Sequence, residues 1–100
     1  MVSAKMKEIS ITQLDKAANM LKAISHPIRI AIINHLSNRE KLTVTEIVAL
    51  LNIEQSVTSH HLGILKDKGV LISKREGKNI YYSLKHDKIS TIIDCLQKCV

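Results

Sequence analysis

Gln55-Ser56-Val57-Thr58-Ser59-His60-His61-Leu62-Gly63-Ile64-Leu65-Lys66-Asp67-Lys68-Gly69 is the stretch that decides how this chain is read. Its periodicity predicts a helix from about Gln55 to Lys68, with Val57, Leu62 and Leu65 pointing one way and Gly69 in the favoured position just past the helix end. On the other side Ser56, Ser59, His60 and Gly63 follow i, i+3, i+4, i+7 spacing, and Gln55 and Thr58 lie close by at the N-terminal end. An ordinary solvated face carries Lys and Glu. Hydroxyls, an amide and an imidazole instead suit donation and acceptance at base edges in the major groove, while the unpaired N–H groups of a helix start attract phosphate. The competing reading is a polar surface helix of a small helical domain, and the flanking segments argue against it.

Upstream, Thr43 and Glu46 have capping-box spacing and open a helix whose Ile47, Leu50 and Leu51 face inward, preceded by Leu42-Thr43-Val44 as a short extended piece or helix lead-in. Asn52-Ile53-Glu54 is then a tight connection, which makes the pair a helix-turn-helix. Downstream, Val70 to Lys74 and Asn79 to Leu84 are rich in strand formers around a Glu76-Gly77 turn, a β-hairpin. Lys74, Arg75 and Lys78 cluster at that turn, so the hairpin reads as a wing that lies along phosphates or enters the minor groove, with a solubilising loop as the alternative.

Farther out, Leu14, Ala17, Ala18 and Leu21 recur at helical spacing after Thr12, with Asp15 three residues beyond that Thr, predicting a first helix to about Ile24. Pro27 suits the first turn of a second helix, and Ile28-Arg29-Ile30-Ala31-Ile32-Ile33 is apolar almost all round, as befits the centre of the core. Ile89, Ile92, Ile93, Leu96 and Val100 form the stripe of a last helix, with Asp87 near its start. The expected fold is mainly α with a small β-hairpin, a winged helix-turn-helix in the order α-α-α-α-β-β-α, spanning 1–100 as a single domain.

A chain of 100 residues buries roughly 65% of its unfolded surface, enough for one core and not two. With 45% hydrophobic residues, no Phe or Trp and 2 Tyr, that core is aliphatic. The net charge of +6 favours a polyanionic partner. Apolar runs are far short of the ~20 residues that span a bilayer, and the N-terminus lacks a signal peptide's apolar segment, so no membrane partner and a cytoplasmic location are expected. Both cysteines, Cys95 and Cys99, fall in the last six residues, too local to staple a secreted domain. No phosphate loop or nucleophile–base arrangement points to an enzyme. A protein-interaction module would want apolar residues where Ser56, Ser59 and His60 stand.

Leu21-Lys22-Ala23-Ile24-Ser25-His26-Pro27-Ile28-Arg29, then Gln55 through Leu62, Leu65 through Leu71, Arg75-Glu76-Gly77-Lys78 and Tyr81-Tyr82-Ser83-Leu84 together resemble the arsenic-repressor (ArsR/SmtB) family of bacterial winged-helix regulators. The resemblance implies a homodimer formed through the first and last helices, two reading helices presented to a palindromic double-stranded operator, and repression relieved by an inducer. On that reading Gln55, Ser56, Thr58, Ser59 and His60 supply base and nearby phosphate contacts, Lys74, Arg75 and Lys78 supply wing contacts, and His61 is structural. His60 and His61 do not share a metal, because adjacent helical residues point in different directions.

The inducer is less legible. Where metal-sensing members carry a cysteine pair in the third helix, this chain has Thr43 and Thr45; where others bind zinc through the last helix, the aligned positions are His86, Lys88 and Cys99, a set that includes an ammonium. Thiol sensors of the family pair a cysteine of the second helix with one of the last, and the second helix here has none. Cys95 and Cys99 remain as a candidate effector or redox site for a soft metal ion or thiol modification, or alternatively as small apolar residues at an interface edge. A winged helix that binds DNA with no effector is the other reading.

Overall fold

The computed structural model describes residues 10–100; the nine residues before Ser10, which the single-domain expectation includes, lie outside the described residues. The first helix, α1 (Ile11–Ile24), starts at a capping box two residues earlier than Thr12: Ser10 Oγ accepts the Gln13 N–H at 3.2 Å, and Gln13 Oε1 accepts the Ser10 N–H at 3.0 Å. Ser10 is the extended residue at the boundary, whereas Thr12 and Asp15 already lie inside the helix and cannot cap it. Pro27 opens α2 (Pro27–Ser37), with His26 Nδ1 accepting the Ile28 N–H at 3.1 Å.

Leu42-Thr43 is a strand, β1 (Leu42–Thr43), and Thr43 then caps α3 (Val44–Leu51), exchanging hydrogen bonds of 3.1 and 2.9 Å with Glu46. The backbone N–H and hydroxyl of Thr43 hold the Glu46 carboxyl below the usual carboxylate range. Asn52 ends α3 in the left-handed region (φ 53°, ψ 47°), and three residues later α4 (Gln55–Asp67) begins. Gly69, at φ 78°, reverses the chain into β2 (Leu71–Glu76), which pairs with β3 (Asn79–Leu84) before α5 (Lys88–Gln97) closes the order. Asp87 precedes α5 in helical geometry and its side chain makes no cap; Ser90 Oγ donates to its carbonyl instead.

The sheet is antiparallel in the order β1-β3-β2, with Leu42 opposite Tyr82 and Leu71 opposite Leu84. Thus the hairpin expected from the sequence gains a third strand, which pins it to the start of α3. Ile32 and Ile33 of α2, Ile47, Leu62, Leu65, Val70, Leu71 and Ile93 are all essentially inaccessible, each such side chain contributing about 1.5–3 kcal/mol by burial. Val57 and Leu50, expected to face inward, are instead exposed at 37% and 39%. The buried line of α4 is Thr58, His61, Leu62 and Leu65, which share one face at i, i+3, i+4, i+7 and leave Val57 at its edge. Leu14 and Leu21 of α1 are also exposed, and only Ala23 and Ile24 of that helix are buried. Among the described residues no helix is long and apolar enough to cross a membrane.

Candidate nucleic-acid interface

Burial of the Thr58/His61/Leu62/Leu65 line fixes what α4 shows to solvent. Gln55, Ser56, Ser59, His60 and Gly63 are all exposed and therefore share the outward side. Thr58 is not among them: it is fully buried, and its Oγ1 donates to the Glu54 carbonyl at 3.1 Å. That places Thr58 with the core and removes it from the candidate contacts, because its one donor is turned back along its own helix. Val57 takes the vacated position on the rim, an aliphatic group that sequence periodicity had assigned to the interior. No side chain caps the start of α4, so the first-turn N–H groups remain available at the end where Gln55 and Ser56 stand.

Gly77, at φ 64°, makes the hairpin turn with Lys78, between the paired Glu76 and Asn79. Lys74, Arg75 and Lys78 are exposed. Strand alternation nevertheless splits them: Lys74, opposite Tyr81, lies on one face of the wing, and Arg75, opposite Ile80, on the other. Lys78 is at the tip. Arg75 Nε donates to the Gly77 carbonyl at 3.4 Å, which steers it toward the turn. On the Lys74 face, Lys41 Nζ meets both carboxylate oxygens of Glu76 at 2.6 Å and lies 4.5 Å from the Tyr81 ring centre. The hydrogen bond to Glu76 is the main reason Lys41 holds its proton more tightly than usual. The one acid of the wing tip is thereby neutralised, leaving the wing cationic.

Cys95 and Cys99 are exposed free thiols on α5 and just beyond it. Cys99 Sγ donates to the Cys95 carbonyl at 3.3 Å, and Cys95 lines an open groove of about 550 Å³ with Lys88, Thr91, Ile92 and Leu96. No group of three or more His, Cys, Asp or Glu able to hold a metal ion occurs among the described residues. Among the described residues the thiol pair is not joined by a third His, Cys, Asp or Glu ligand.

Helix-turn-helix followed by a hairpin of basic tip defines a winged helix-turn-helix protein. Residues 26–73 match the family model described as bacterial regulatory protein, arsR family. The chain is 38% identical over 89 residues to the transcriptional repressor PagR of Bacillus anthracis, covering 89% of each chain. It is 35% identical to the HTH-type transcriptional regulator YgaV of Escherichia coli, covering 83% of this chain and 84% of that one. The crystal structure of PagR superposes with a TM-score of 0.81 over 87% of this chain and 99% of that chain. That of the repressor BigR from Xylella fastidiosa gives 0.81 at 27% identity over 99% and 96%. The chain belongs to the arsR family of bacterial regulatory proteins.

Proposed function

We propose that this chain is a sequence-specific DNA-binding transcriptional repressor that acts as a homodimer on a palindromic duplex. The observation that carries the reading is the outward side of α4, where Gln55, Ser56, Ser59 and His60 offer short hydrogen-bonding groups beside an uncapped helix start. In the major groove these groups contact base edges, and Val57 meets a thymine methyl. Lys78 at the wing tip, with Lys74 or Arg75 according to which face turns inward, contacts phosphate. The names of PagR and BigR as transcriptional repressors support repression as the regulatory sense.

Dimerisation is supported by apolar surface that the subunit leaves bare: Ile11, Leu14 and Leu21 on α1, and Ile92 and Leu96 on α5. Cys95 lines a groove with Ile92 and Leu96 of that surface, and the exposed Cys95 and Cys99 are the candidates through which a thiol-reactive species or soft ion would release the operator from a protein working in the cytoplasm. Fluorescence anisotropy of the reduced protein on a duplex from its own upstream region, across a salt series, tests the reading. Lys78→Ala should weaken binding on all sequences alike and lower the salt slope by about one, whereas His60→Ala should change sequence preference. An unchanged salt slope for Lys78→Ala would remove the wing from the interface. Release by oxidant or soft metal should disappear when both cysteines are replaced by Ser; persistence would exclude them.

A further inference from the structure

A polar joint ties the reading helix α4 to α1 and α2. Arg29, half-buried on α2, donates from Nε to Nδ1 of His61 at 3.1 Å and from Nη1 to the carbonyl of Ala23 at 3.0 Å. Ala23 belongs to the end of α1 and His61 to the buried face of α4, so one guanidinium holds both. His26, which caps α2, packs against His61 with ring centres 4.5 Å apart, and His60 approaches it edge-on at 5.4 Å. Since a guanidinium only donates, His61 must accept at Nδ1, carry its proton on Nε2 and be neutral.

We propose that Arg29 and His61 are positioning residues that fix the orientation of α4 relative to α1, and that duplex binding requires the neutral, Arg29-bonded His61. This rests on the reading of α4 given above. In a homodimer built partly on α1, the separation of two reading helices on a two-fold duplex is only as well defined as the link from α1 to α4, and Arg29 is a half-buried, directional part of that link. The charged and titratable groups acting on His61 are His26, Arg29 and His60, all basic. A proton on Nδ1 removes Arg29's acceptor and sets an imidazolium against a guanidinium. Burial above all, then His26, Arg29 and His60, hold the His61 pKa below its ordinary value of 6.5. By linkage, affinity for the duplex falls as pH drops through that lowered value. His60 stands on the outward face and is unchanged in a His61 variant, so a comparison of wild type with that variant isolates the joint.

Arg29→Met removes both donations, and His61→Asn keeps an acceptor near the position of Nδ1 without a titrating ring. Anisotropy on the same duplex across pH, with circular dichroism to verify the fold, reads the outcome. Arg29→Met should bind about tenfold more weakly or worse at neutral pH. His61→Asn should bind more tightly than Arg29→Met and lack the wild-type loss of affinity on acidification, and in wild type the His61 ring should titrate lower in the complex than in free protein by NMR. If Arg29→Met fails to fold, the pH profile of His61→Asn decides alone. Equal binding by wild type and Arg29→Met, or an acid loss that survives in His61→Asn, overturns the proposal while leaving the reading of α4 intact. Failure of wild type to bind any duplex overturns both.

Discussion

Gly63 occupies an interior position of α4, on the outward side, where a Cβ would meet nothing within 4 Å. Packing inside the subunit therefore gives no reason for glycine, which costs about 1 kcal/mol in a helix interior relative to Ala. An approaching duplex backbone does. Gly63→Ala should accordingly raise the stability of the free protein by about 1 kcal/mol in thermal or urea melts while weakening duplex binding; a stabilised variant that binds as tightly as wild type would show that no DNA comes near. Thr58 and Val57 illustrate the limit of residue-level reading. Apolar periodicity sends Val inward and Thr outward, yet a threonine whose hydroxyl bonds its own helix behaves as an apolar residue, and Thr58 does this through Glu54. Ser56, Ser59 and His60 have exposed side chains as expected.

At the scale of elements, turn chemistry was the most legible signal. Asn52 tolerates the left-handed conformation that ends α3, and Gly69 and Gly77 take positive φ at the end of α4 and at the wing tip. What sequence patterning left open was long-range: that Leu42-Thr43 joins the sheet edge, and that Lys41 beside it reaches Glu76 across the wing. Neither follows from local propensity, because Lys41 and Glu76 are 35 residues apart and the strand partners are farther apart still. The Lys41–Glu76 pair is solvent-accessible and weak as a contributor to folding. Its consequence is electrostatic, since a released Glu76 carboxylate would sit beside the phosphates. Lys41→Ala should weaken duplex binding, and Lys41→Ala combined with Glu76→Gln should recover most of the loss; strictly additive losses in that double-mutant cycle would dissolve the coupling.

For the whole molecule, the bare apolar residues of α1 and α5 are the largest departure from a self-sufficient subunit. Leu14 is 51% and Leu96 51% exposed; on α1 the rest of the stripe, Ala17, Ala18 and Leu21, is exposed as well, and on α5 only Ile89 and Ile93 of the stripe are buried. The sequence revealed the stripes but not which part of each is spent on the subunit's own core. Leu14→Glu or Leu96→Glu should convert the dimer to monomers by sedimentation equilibrium without unfolding, and should reduce affinity for a palindromic duplex far more than for a half-site. A wild-type protein that is monomeric at tens of micromolar would refute the pairing. The net charge of +6 suits attraction to DNA in general; the proposed reading assigns specificity to α4.

Selection of duplexes from a random pool by wild type, Lys78→Ala and His60→Ala tests that last statement most directly. Wild type should enrich a two-fold symmetric sequence, Lys78→Ala should enrich the same sequence with lower affinity, and His60→Ala should lose preference at defined positions in each half. Enrichment of no sequence by wild type, or of an identical one by His60→Ala together with single variants at Ser56 and Ser59, would contradict the assignment of α4 as the reading helix.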